Sequence, residues 1–218
     1  MTISETLFEE LCKGCGVRFD SIPTATGRRS ADYRVWLDQT EVITEVKQIN
    51  SGDYERNLLA SAAGDDTSAI SSNVHVRIRR KLDKAWKQLN NVAGGILPSL
   101  FVLYDNTRGL SGLDSEDFLN AMHGDEKIKI LFSKTNGRIV RVFHTFGPRG
   151  KLGETFNQSV SAFCRLMLGS NGEPFLVVFH NEFATNPLPI ELTKLIARRQ
   201  FIRPPSTTNE YRFWTEVS

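Results

Sequence analysis

The chain is expected to fold as an α/β protein, a three-layer α/β/α sandwich built on a central mixed sheet. Three observations predict it. Segments of helical and strand period interleave along the sequence. A short unbroken apolar run, "SLFVLYDN", suits a strand covered on both faces. A chain of 218 residues, 40% of them hydrophobic, can bury one sizeable core.

The first element, Ser4 to Cys15, places Leu7, Phe8, Leu11 and Cys12 at helical spacing, and Gly14 and Gly16 supply the stop. The following "RFDSIPTATGRRS" reads as a connection. Next comes a hairpin: "DYRVWL" alternates Tyr33, Val35 and Leu37, and "EVITEVKQ" alternates Val42, Thr44 and Val46. The stretch from Asn50 to Asn73 is rich in Ser, Asn, Asp and Gly and reads as loop with at most a weak helical turn. A helical pattern then runs from about Val74 to Val92 and ends at Gly94 and Gly95, ahead of the buried strand. Beyond it, "SEDFLNAMHG" predicts a helix, "KIKILF" and "RIVRVFHTF" strands, and "ETFNQSVSAFCRLML" a helix. "PFLVVFH" predicts a strand, "PIELTKLIARRQF" a helix and "YRFWTEV" a closing strand. There is no internal repeat and no low-complexity tract.

Composition narrows the function classes. No apolar run approaches the roughly 18 residues of a membrane span, and "MTISETLFEE" has no basic segment followed by an apolar one. A soluble, cytoplasmic protein without membrane contact is expected. Three cysteines, Cys12, Cys15 and Cys164, fit reduced thiols better than a disulfide scaffold. No second C-x-x-C or close His pair completes a zinc cluster with "CKGC", so Cys12 is expected in the core and Cys15 in the turn that ends the helix. A net charge of +2 says little about partners, but the local balance says more. From Arg77 to Lys87, six bases (Arg77, Arg79, Arg80, Lys81, Lys84, Lys87) face one acid, Asp83. Such a run is either a solvated helix face or a phosphate-contacting one.

The hairpin carries the chemistry. A two-residue turn at Asp38 and Gln39 sets Val35 opposite Val42 and Tyr33 opposite Thr44, so Asp32 falls opposite Glu45 on the other face. Lys47, two residues past Glu45, points the same way. Two carboxylates in cross-strand contact repel unless a proton or cation lies between them. With a lysine alongside, they suit a hard divalent cation such as Mg²⁺ or Mn²⁺, with the lysine free to orient water or to neutralise charge on a phosphoryl group.

"ADYRV" followed by "EVK" resembles the PD-(D/E)XK nuclease superfamily, the restriction-endonuclease-like fold, in which an Asp opens one strand and an E-x-K lies on the next. The resemblance implies Asp32 and Glu45 as metal ligands, the Val46 carbonyl beside them, and Lys47 as the catalytic lysine. Ala31 stands where that family commonly has proline. The family's preceding helix usually adds a glutamate, which Glu5 would supply, or Glu9 if the helix is rotated; "TISE" equally reads as a capping box that occupies Glu5. The helix after the E-x-K strand commonly lies along the active-site edge, which would bring Lys84 and Gln88, one turn apart, toward it. Arg77, Arg79, Arg80 and Lys81 would then contact phosphates. The order helix, hairpin, helix, buried strand matches the fold over about residues 1–105, within a single domain whose remainder, about 106–218, is expected to pack on the same sheet. The implied activity is metal-dependent hydrolysis of phosphodiester bonds, with DNA as the expected nucleic-acid partner and a homodimer as the simplest way to cut both strands. The alternative is a non-catalytic module of the same fold that binds nucleic acid or protein.

Other motifs carry less. Gln48 alternates to the opposite face from Lys47 and is expected in packing or a strand-end hydrogen bond. His144 and His180 sit at strand ends without a nucleophile elbow or ligand spacing and read as hydrogen-bonded structural histidines. "GPRGKLGE" lacks the spacing of a Walker phosphate loop. Arg198, Arg199 and Arg203 leave three roles open for the C-terminal half: sheet extension, dimer surface or part of a nucleic-acid cleft.

Overall fold

Burial on two sides of one sheet organises the chain. The computed structural model describes residues 1–23, 30–52, 74–107, 114–147, 150–153, 157–203 and 214–217. Its main sheet has eight strands: β1 (Arg18–Ser21), β2 (Tyr33–Leu37), β3 (Thr40–Asn50), β4 (Ser99–Asn106), β7 (Ala162–Leu168), β8 (Pro174–His180), β9 (Ala197–Ile202) and β10 (Thr215–Val217), in that spatial order. Strands β5 (Glu126–Phe132) and β6 (Ile139–Phe146) form a separate antiparallel ribbon. The helices are α1 (Ile3–Gly14), α2 (Val74–Ala93), α3 (Ser115–His123) and the single turn α4 (Ile190–Thr193). The sheet is mixed: β3, β4 and β7 are parallel at its centre, β8 and β9 form a further parallel pair, and the remaining neighbours run antiparallel.

Period-two alternation assigns the two faces. Tyr33, Val35, Val42, Val46, Leu100, Val102, Cys164 and Val178 join Phe8, Leu11 and Cys12 of α1 in one apolar cluster. The intervening positions, Ile43, Ile49, Phe101, Leu103, Phe163 and Phe179, join Ile78, Leu82, Ala85 and Leu89 of α2 in another. The α2 residues recur at helical spacing and are fully buried, which fixes which side of α2 meets the sheet. Helix α1 begins at the Thr2 capping box and ends at Cys15, after which Gly16 takes a left-handed φ of 66°.

The hairpin register is the expected one: Tyr33 pairs with Thr44, Val35 with Val42 and Leu37 with Thr40 around Asp38, whose φ is 54°. Strand β4 coincides with the apolar run. Four expectations need correction. Residues 162–168, read as the end of a helix, form β7, because Phe163 faces one cluster and Ala162, Cys164 and Leu166 the other; burial on both faces overrides the helix-favouring Leu and Met. The segment read as a helix from Pro189 to Phe201 holds only the turn α4 and then β9, whose residues pair with β8. The connection after α1 contains β1, an edge strand closed by its pairing with β2. The first hairpin strand begins at Tyr33, one residue later than read. Most of the loop read from Asn50 to Asn73, together with residues 154–156 and 211–213 of the predicted helix and closing strand, lies outside the described residues. No described helix is long and apolar enough to cross a membrane.

Leu82 has no exposed surface and lies between α2 and the sheet. Leu82→Ala is expected to lower the unfolding free energy by about 2–5 kcal/mol, read from denaturant melts with an unchanged slope.

Candidate metal centre

Strand β3 is eleven residues long and its hairpin partner β2 only five, so β3 continues where the antiparallel ladder stops. Asp32 stands at that end. Its backbone N–H donates to the Thr44 carbonyl at 3.2 Å, and its side-chain Oδ2 accepts the Val46 N–H at 2.8 Å. The carboxylate thus takes over the ladder position that a further β2 carbonyl would fill.

Glu45 lies beside it, and Phe101 pairs with it from β4. The Glu45 side chain has 0% exposure, and neither oxygen accepts a hydrogen bond of ordinary geometry. The Lys47 ammonium rests against Glu45 Oε1 and stands 3.9 Å from Asp32 Oδ2. Burial, and secondarily the charge of Asp32, push the Glu45 carboxyl up to about 8, with Lys47 opposing. Burial also raises Asp32, held back by Lys47 and by the Val46 N–H. Asp32, Glu45 and Lys47 are therefore gathered on the face that α2 covers.

A cation suits this arrangement. Two fully buried carboxylate oxygens, one of them against the Lys47 ammonium and both next to a second carboxylate, form an oxygen-rich position whose charge is met by Lys47 and a proton. Asp32 and Glu45 are the side chains able to hold a divalent ion. Among the described residues no group of three or more His, Cys, Asp or Glu side chains is gathered about one point.

Glu5 does not join them. Its Oε2 accepts the Thr2 N–H at 2.6 Å while Thr2 Oγ1 accepts the Glu5 N–H, the capping box foreseen as its other role. Glu9 is also engaged, accepting the Tyr33 hydroxyl at 3.1 Å and pairing with Lys13 at 3.6 Å. The physical reason is the sheet: α1 must cover Val42 and Val46, whereas Glu45 points to the opposite face. Glu5 is still near enough for its charge to raise Asp32 slightly.

Helix α2 runs alongside the site, tied near both ends. Arg77 donates to the Asn50 carbonyl at the end of β3, and Gln88 Nε2 donates to the Ser30 carbonyl at 2.7 Å. Between these ties, Lys81 and Lys84 lie at helical spacing on the same stripe. Burial lowers Lys81, and so do the charges of Lys84, Lys47 and Arg77. Arg80 is exposed. Arg79 departs from its expected phosphate role: it is 5% exposed and donates to Asp125 Oδ1 at 2.5 Å and to the Asn120 carbonyl, binding α2 to α3. Asn50 escaped notice in the sequence; its Oδ1 accepts from both Gln48 and Asn106, and its carbonyl anchors Arg77, yet a polar residue at a strand end gives no distinguishing signal.

No family model, curated protein or solved structure matches this chain.

Away from the site, the remaining motifs are structural. Gln48 accepts the Ser4 N–H at 3.4 Å on the α1 side. His180 is buried, its Nε2 2.9 Å from Gln200 Oε1, and burial lowers its pKa. The backbone of His144 belongs to β6; its side chain lies outside the described residues. Cys12 is buried, with its thiol pushed up to about 12, and Cys15 caps α1 in an exposed turn. Arg198 lies over Phe175, Arg199 pairs with Glu216 at 2.7 Å, and Arg203 pairs with Glu182 at 3.0 Å, all within the C-terminal half.

Because Glu45 holds its proton to higher pH when folded, the folded state binds more protons than the unfolded chain between about 4.5 and 8. Its contribution to stability therefore falls as pH rises through that window. Glu45→Gln should gain stability relative to the parent chain across the same window, measured by chemical unfolding at stepped pH. A difference between the two that is flat with pH removes the assigned shift.

Proposed function

We propose that the chain is a divalent-metal-dependent nuclease that hydrolyses phosphodiester bonds of DNA, on a restriction-endonuclease-like α/β/α core. The observation that carries it is the convergence of Asp32, Glu45 and Lys47 on one face where β3 outruns β2. The order α1, hairpin, α2, parallel β4 supports it, as does the apolar cluster on each side of the sheet.

Asp32 and Glu45 would hold Mg²⁺ or Mn²⁺, with the Val46 carbonyl as a further oxygen, and the ion would supply Lewis-acid polarisation and a water of lowered pKa. The chain's own groups then have separate tasks. Asp32 is fixed by the Val46 N–H, so its second oxygen is presented without freedom to rotate away. Lys47 is held between the two acids and is placed to donate to a phosphoryl oxygen as negative charge grows in the transition state. The stripe of Lys81 and Lys84 faces the same side and offers sequence-independent attraction to the phosphate backbone.

A second reading has its own observation. Glu45 is fully buried under Lys47, and no third acid joins the pair among the described residues, which suits a non-catalytic module of the same fold that keeps the ion pair as a structural device.

Incubation of single- and double-stranded DNA and RNA with Mg²⁺ or Mn²⁺ separates the two. The nuclease reading expects DNA cleavage that falls at least about 100-fold in both Asp32→Ala and Lys47→Ala. It also expects a thermal midpoint that rises with Mg²⁺ in the parent chain and not in Asp32→Ala. No cleavage of any substrate together with no metal-dependent stabilisation supports the second reading. Lys84→Ala should weaken DNA binding across sequences and reduce the salt slope by about one, measured by fluorescence anisotropy at stepped ionic strength.

A further inference from the structure

The β5–β6 ribbon stands apart from the main sheet, and the two strands pack chiefly on each other. A lone two-stranded ribbon is marginally stable in water unless something covers an apolar face. Its base is crowded: a Cβ on Gly124 would run into the Gly147 carbonyl, one on Gly150 into the His123 backbone, and the Gly147 N–H donates to the Asp125 carbonyl at 2.7 Å.

Its faces differ. Ile130 pairs with Val142 and Phe132 with Ile139 across a bulge, and Ile128 lies on the same side two residues before Ile130. These five are exposed by 60% (Ile128), 44% (Ile130), 58% (Phe132), 58% (Ile139) and 50% (Val142), with no charged residue among them. The other face carries Lys127, Lys129 and Arg141 beside Leu131. Scattered exposed apolar residues need no explanation, but a contiguous face of five marks a contact surface.

We propose that this apolar face is a homodimer contact, occupied by the same face of a second copy across a two-fold axis. Charge permits that occupant. The five apolar positions carry no charge, with Glu126 on their side only at the base of the ribbon by register, so a like face matches them, and stacking turns both sets of Lys127, Lys129 and Arg141 outward, away from each other. Area agrees. At roughly 100 Å² for each of the five side chains, two copies bury on the order of 1,000 Å², the lower bound of a specific interface. Two stacked ribbons also make a four-stranded sandwich, which removes the instability of a lone ribbon. The contact stands whether or not the chain cuts DNA.

Sedimentation velocity of the full chain over a roughly hundredfold range of concentration tests it. The parent chain and the control Lys127→Gln should shift to twice the monomer mass, and I130K/V142K should stay monomeric with an unchanged far-UV spectrum. If I130K/V142K loses its fold, F132S/I139S makes the same comparison. A parent chain that is monomeric throughout overturns the proposal, as does a dimer that survives either pair of substitutions. A monomer that binds phosphatidylglycerol vesicles or duplex DNA through this face, with binding lost in I130K/V142K, also overturns it and assigns the surface to that partner.

Discussion

A carboxylate without exposed surface, in the middle of a sheet, must be neutralised before the surrounding strands can close on it. Glu45 is that group, and the neighbouring geometry serves its neutralisation. Lys47 comes from the same strand and the same face, so a one-residue slip of the hairpin would send both toward α1 and away from Asp32. Asp32 brings a second negative charge to the same place, which one ammonium offsets only in part. The excess is met by a retained proton, or by a cation. A structural ion pair has no need of the second acid, and for that reason the pairing of Asp32 with Glu45 says more than the pairing of Glu45 with Lys47.

Electrostatics on the covering helix repeat the theme with the opposite sign. Helix α2 presses a wholly apolar side into the core and leaves Arg77, Lys81 and Lys84 on the side next to Lys47. Gathering like charges costs free energy, which a neighbouring anion offsets. Acids within the hairpin thus stand beside bases on the covering helix, with Lys47 between the two sets.

Legibility of the sequence followed the number of faces that each element buries. The hairpin register was readable because Tyr33, Val35, Val42 and Val46 bury one face and a short turn fixes the offset, and that register alone brought Asp32, Glu45 and Lys47 together. Strand β4 was readable from its unbroken apolar run. Strand β7 was not, since "AFCRLML" satisfies helical and extended patterns alike, and only its place between β4 and β8 decides. Arg79 and Glu5 show the other limit: each is a charged residue in a suggestive spot whose partner, Asp125 or the Thr2 backbone, is chosen by packing or by capping geometry. Charge is legible in a sequence; its destination is not.

The parallel seam at the centre has a further consequence. Leu100, Phe101, Val102 and Leu103 are fully buried because β7 flanks β4 on the side away from β3. A fragment that stopped after β4 would leave the amides and carbonyls of that edge without the partners β7 supplies, so the half that bears the acids leans on the other half to seal its seam.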